Sequence, residues 1–136
     1  MGKRGGSMKD LILFRGLPGA GKSTLADTLC DVAYSADDFF IQPDGAYVYD
    51  KARIKEAHEY CLLQTLRAMS KGVSRVGVAN TFTEAWEMSP YYKAAYAAGY
   101  RVHAVIVEGR GHDRENVHGT PREVIESMEN RFQVVL

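Results

Sequence analysis

The chain has 136 residues, enough for one hydrophobic core, and its 46% hydrophobic and 25% charged residues are an ordinary globular mixture. Seventeen Lys and Arg balance seventeen Asp and Glu. That balance excludes a whole-chain basic face for long nucleic acid and leaves a small or end-bound acceptor open. No apolar run approaches the ~20 residues of a membrane span. Met1 to Lys9 contain no apolar stretch, so they read as a flexible leading segment before one domain at 10–136. Cys30 and Cys61 fit no metal or disulfide spacing and read as reduced thiols in apolar helical segments, which suits a cytoplasmic setting.

Leu11-Ile12-Leu13-Phe14 is a continuous apolar run, the pattern of a strand buried on both faces. A glycine-rich turn follows, then a helix from Lys22 to Cys30 and a short strand from Val32 to Ser35. Pro43, Asp44 and Gly45 mark a turn. Ile54, Ala57, Cys61, Leu62 and Leu66 recur at three- and four-residue steps, which predicts a helix from Asp50 to Ser70, ended by Gly72. Val73 to Asn80 reads as a third strand. Ser89-Pro90 reads as a helix start, Ser as N-cap and Pro at the first position, with the helix ending near Gly99. Trp86 is then expected to anchor this helix in the core, and Tyr91, Tyr92 and Tyr96 to form a packing stripe. Tyr100 to Val107 is the fourth strand. The polar segment from Glu108 to Thr120 reads as a mobile loop, and Thr120-Pro121-Arg122-Glu123 opens a last helix with a capping box.

Strand–helix alternation predicts an α/β fold, a parallel sheet with right-handed crossovers and helices on both faces. Ligands of such sheets bind at the carboxyl ends of the strands, here near Gly16, Asp37, Asn80 and Glu108. Gly16-Leu17-Pro18-Gly19-Ala20-Gly21-Lys22-Ser23 satisfies G-x-x-x-x-G-K-S, with an apolar strand before it and a helix after it. The glycines let consecutive N–H groups turn inward on phosphate oxygens, and the helix adds its positive end. Lys22 is expected on the β- and γ-phosphates and Ser23 on Mg²⁺; Thr24 is the adjacent hydroxyl. The motif predicts nucleoside triphosphate binding without naming the reaction.

Asp37 and Asp38 follow the second strand, roughly fourteen residues after Lys22. An acidic residue there faces the γ-phosphate and can accept the proton of an attacking hydroxyl. Adjacent carboxylates cannot both face one site, so Asp37 is the expected base and Asp38 a cap or helper. The alternative is that both cap a helical turn beginning near Phe39.

The blocks GLPGAGKSTLA, SADDFF, GAYVYD, KEAHEYC, VANTFTEAWEMSPYYKAAYAAGYRV and ENVHGTPREVIESMENRF, in that order over roughly residues 10 to 133, resemble the P-loop kinase domain of the Nedd-four-binding-protein group. That domain is in turn similar to the kinase half of phage polynucleotide 5′-hydroxyl kinases. The resemblance implies a P-loop NTPase-type three-layer sandwich with a four- or five-stranded parallel sheet and the P-loop strand central, and phosphoryl transfer from ATP with Mg²⁺, with Asp37 as general base. It also implies Asn80 and Thr81 near the metal or acceptor, and a lid at 110–121 whose arginines, Arg114 first and Arg110 second, cover the transferred phosphate. The family block implies that His58 on the long helix faces the cleft on the acceptor side; Arg53, one helical turn before Ala57, is a candidate for acceptor phosphate and equally for a solvated surface charge. Four positions depart from the pattern: Ala79 stands for an acidic residue, Phe82 for asparagine, Phe40 for an acceptor-gripping arginine, and Glu115 for a lid arginine. The favoured expectation is a kinase acting on a polynucleotide 5′-hydroxyl or nucleotide-like acceptor. Phe40 and the neutral charge favour a metabolite or antibiotic acceptor instead. Ala79 and the altered lid motivate a third reading, a non-catalytic ATP-binding module of a larger assembly.

Overall fold

The computed structural model describes residues 8–108 and 122–132. Its frame is a parallel sheet of β1 (Asp10–Arg15), β2 (Val32–Tyr34), β3 (Arg75–Asn80) and β4 (Arg101–Ile106), in the order β2-β3-β1-β4. β1, which leads into the phosphate loop, lies between β3 and β4 and pairs with both in register from Asp10 to Arg15. The helices are α1 (Lys22–Leu29), α2 (Ile54–Ser70), α3 (Ala85–Ala98) and α4 (Arg122–Arg131). The fold is the expected α/β arrangement, with four parallel strands.

The two sides of β1 divide the core, as strand alternation requires. Leu11 and Leu13 join Val76 and Val78 of β3 under Ala57, Cys61 and Met69 of α2 and Met88, Tyr91 and Ala95 of α3. On the other side Phe14 and Ala79 pack with Ala26 of α1. Gly77 makes that second layer possible: a Cβ there would meet Cys30 Sγ at 2.8 Å and the Phe14 ring at 3.3 Å.

Three expectations change. The helix expected from Asp50 begins as a 3-10 turn, Lys51–Arg53, with Asp50 as its N-cap, and becomes α-helical at Ile54. Cys30 is the C-cap of α1 rather than a helical residue. The helix expected to begin at Ser89-Pro90 begins one turn earlier, at Ala85. Glu84 and Glu87 form a reciprocal capping box there, and Pro90 falls inside the helix. Two satisfied backbone donors outweigh the local Ser-Pro signal. The shift turns Trp86 outward, 70% exposed, so it does not anchor the core; its indole N–H donates to the Glu84 carboxylate. Of the tyrosine stripe only Tyr91 is buried, and Tyr96 is 89% exposed.

Candidate phosphate-binding and acceptor site

The loop after β1 is braced from both sides. The Gly16 N–H donates to the Thr81 carbonyl at 3.2 Å, and the Val107 N–H donates to the Arg15 carbonyl at 2.7 Å. Gly16 admits no side chain, since a Cβ would stand 2.5 Å from the Val107 carbonyl oxygen. Gly19 and Gly21 adopt left-handed φ of 85° and 96°, which a residue with a Cβ adopts only at a cost. Between them the Ala20 N–H closes a turn onto Leu17 O at 3.1 Å. Pro18 lies on the same loop.

The start of α1 is open. Gly21 supplies no side-chain cap, and the first turn holds no acidic residue. The N–H groups and positive end of the helix are therefore available to an anion. Ser23 and Thr24 are exposed in that first turn. Lys22 folds back and donates to Leu17 O at 3.1 Å. Burial lowers its pKa to about 8, against the opposing pull of the Asp37 carboxylate. Lys22 and Asp37 thus share one electrostatic environment at the carboxyl ends of β1 and β2.

Asp37 stands in a 3-10 turn, Ala36–Phe40, capped by Ser35. The Ser35 hydroxyl accepts the Asp37 N–H at 3.2 Å, and Asp38 Oδ2 accepts the Ser35 N–H at 3.0 Å. Asp38 is therefore a cap, while the Asp37 carboxylate accepts a hydrogen bond from the Tyr47 hydroxyl at 3.0 Å. Asn80, 6% exposed, accepts the Ala36 N–H at 2.9 Å, and its amide donates to Cys61 Sγ at 3.7 Å. It ties the end of β3 to the turn carrying Asp37. Thr81 touches the loop through its carbonyl. His58 is exposed on α2. Arg53 pairs with Glu56 at 3.1 Å and lies 4.7 Å over the Phe39 ring. Phe39, Tyr60, Phe40 and Tyr49 continue this aromatic surface, with centroids 5.2–5.7 Å apart. The lid residues Arg110, His112, Arg114, Glu115 and His118 lie outside the described residues.

Sequence reasoning missed Arg15. It is fully buried, its Nε and Nη2 donate to the Phe82 carbonyl at 3.1 and 2.9 Å, and its guanidinium lies 4.7 Å from the Phe132 ring. The acceptor residue, Phe82, is held at φ 47°. The signal was present: a charged residue closing an otherwise apolar strand. Arg131 adds a second tie from α4, donating to Thr83 Oγ1 at 3.1 Å.

Known proteins share this fold. The sugar kinase of Janibacter sp. HTCC2649 superposes with TM-score 0.62 at 17% identity, over 94% of this chain and 80% of its own. Kti12 of Chaetomium thermophilum, solved with ADP-AlF3, gives 0.62 at 15% identity over 90% and 80%. The APS kinase CysC of Mycobacterium tuberculosis, solved with AMPPNP and APS, gives 0.56 at 16% identity over 86% and 75%. These likenesses speak to the fold. In sequence, human NEDD4-binding protein 2 is 36% identical over 134 residues, 90% of this chain; the chain spans only 8% of that relative. A family model described as an AAA domain matches residues 11–135, and the chain belongs to that family, whose fold is P-loop kinase-like.

Proposed function

We propose that the chain is an ATP-dependent kinase in which Asp37 activates an acceptor hydroxyl for attack on the γ-phosphate. The observation that carries this reading is the phosphate loop with its uncapped helix start, where Lys22 lies within electrostatic reach of Asp37. Lys22 and the loop N–H groups neutralise and orient the triphosphate, and Asp37 takes the acceptor's proton. Mg²⁺ would arrive with the nucleotide, held by the exposed Ser23 hydroxyl and phosphate oxygens. Arg114 and Arg110 are proposed to cover the transferred group. The aromatic surface of Phe39, Tyr49 and Tyr60 beside Asp37 offers stacking area, which supports a base-bearing acceptor, a polynucleotide 5′-end or a nucleotide-like hydroxyl.

Burial of Phe40 (4% exposed) supports a second reading, a small-molecule acceptor, because no cation stands at that position to hold a polymer phosphate. A labelled-ATP assay with 5′-hydroxyl oligonucleotides, nucleosides and small alcohols separates the two. Lys22→Ala should abolish transfer, and Asp37→Asn should bind ATP and lose transfer. Full activity in Asp37→Asn would remove the base assignment.

A further inference from the structure

Ten residues after Asp37 the chain returns to it through a small, ordered hairpin. The Gln42 N–H donates to Ala46 O and the Gly45 N–H to Gln42 O, both at 2.8 Å, with Gly45 at φ 89°. The Ala46 N–H caps onto Asp44 Oδ1 at 3.0 Å, Ile41 and Tyr47 form an antiparallel bridge, and the Val48 N–H closes onto Phe40 O at 2.9 Å. From Ile41 to Asp50 every residue is exposed except Tyr47. Its ring meets buried Phe40 edge-on, centroids 6.1 Å apart, and its hydroxyl reaches Asp37 Oδ1. Burial first, and the Asp37 charge second, hold the phenol above its usual range, so it stays a protonated donor.

We propose that Tyr47 is a positioning residue for phosphoryl transfer, its hydroxyl fixing the Asp37 carboxylate toward the phosphate loop. The inference rests on Asp37 being the base. In the transfer step the acceptor O–H bond breaks and its proton passes to Asp37. The acceptor oxygen bonds to the γ-phosphorus, and the bond from that phosphorus to the β–γ bridging oxygen breaks, leaving ADP. Tyr47 keeps its proton throughout and occupies one lone pair of Oδ1. The partly buried Tyr47 ring, where a free hairpin tip would be solvated, is what a delivery device for that hydroxyl requires.

Tyr47→Phe keeps the ring on Phe40 and removes only the donor. The test measures ATP turnover against pH with a 5′-hydroxyl oligonucleotide as acceptor, and again with water alone. The expected result is a kcat lowered by about tenfold or more, with KM for ATP within about twofold of wild type. The loss should appear in kcat at every pH tested, with ATP binding intact, because only the donor to Asp37 Oδ1 is gone. A merely structural tyrosine would lower the melting temperature and leave kcat, measured well below it, unchanged, which overturns the inference. An inactive Asp37→Asn beside a wild-type Tyr47→Phe overturns the Tyr47 role alone. A fully active Asp37→Asn overturns the base assignment and the Tyr47 role together.

Discussion

ATP affinity should fall as pH climbs from about 8 to about 10, while the same change stabilises the free protein. In the free site Lys22 has a pKa of about 8, lowered from 10.5 chiefly by burial. A bound triphosphate restores the charged form and carries the pKa back toward 10.5. In that window the complex holds a proton that the free protein has lost. Relative to pH 7 the affinity should drop about tenfold at pH 9 and about 70-fold at pH 10, taking one proton per site and ~1.4 kcal/mol per decade. For stability the comparison is with the unfolded chain, which keeps its proton up to its ordinary pKa. The folded chain binds fewer protons between the two values, so unfolding free energy rises with pH there, by about 3 kcal/mol at most. Below pH 8 the burial cost is present in full. Fluorescent-ATP titrations across this range, repeated with Lys22→Arg, measure the first slope; urea unfolding of wild type against Lys22→Met measures the second. Arginine stays charged throughout, so its affinity should be flat. A flat wild-type curve to pH 9.5, or an equal decline in Lys22→Arg, would refute the reasoning.

Gly16→Ala should cost ~1–3 kcal/mol, read as a melting point lowered by several degrees, and weaken ATP more than tenfold, because its Cβ would stand 2.5 Å from the backbone oxygen of Val107. Arg15→Ala should destabilise by ~1–3 kcal/mol in urea unfolding, since it removes two hydrogen bonds from the Phe82 carbonyl and leaves a buried acceptor unmet.

The sequence was most informative where local chemistry and fold agree. The phosphate loop is legible because Gly19 and Gly21 must take left-handed φ and Gly16 must let Val107 approach. The strands are legible because parallel strands are apolar on both faces. The start of α3 was misread because Ser89-Pro90 is a strong local signal, and the winning capping box of Glu84 and Glu87 uses an N-cap residue that is rarely chosen. Tyr47 and Arg15 were not foreseen as parts of the site. Their roles depend on partners 10 and 67 residues away, and no short-range periodicity encodes such pairings. Phe82 departs from the asparagine of the resembling kinases at a position whose φ is 47°, a conformation that asparagine tolerates better than a bulky ring. Its buried ring, edge-on to Tyr91 at 5.6 Å, offsets that strain.

Phe40 sets a limit on how this site could be re-engineered. Its ring is 4% exposed and faces Phe39, Tyr47 and Tyr49. Writing an arginine there to imitate a phosphate-gripping kinase would place a charge among three aromatic rings, and the hairpin that carries Tyr47 would lose its floor. A designer seeking a new acceptor should leave Phe40 alone and vary Ile41 and Val48, which are 49% and 55% exposed beside it. Substitutions at these two positions change the solvent face of the hairpin and leave the aromatic layer under Tyr47 undisturbed.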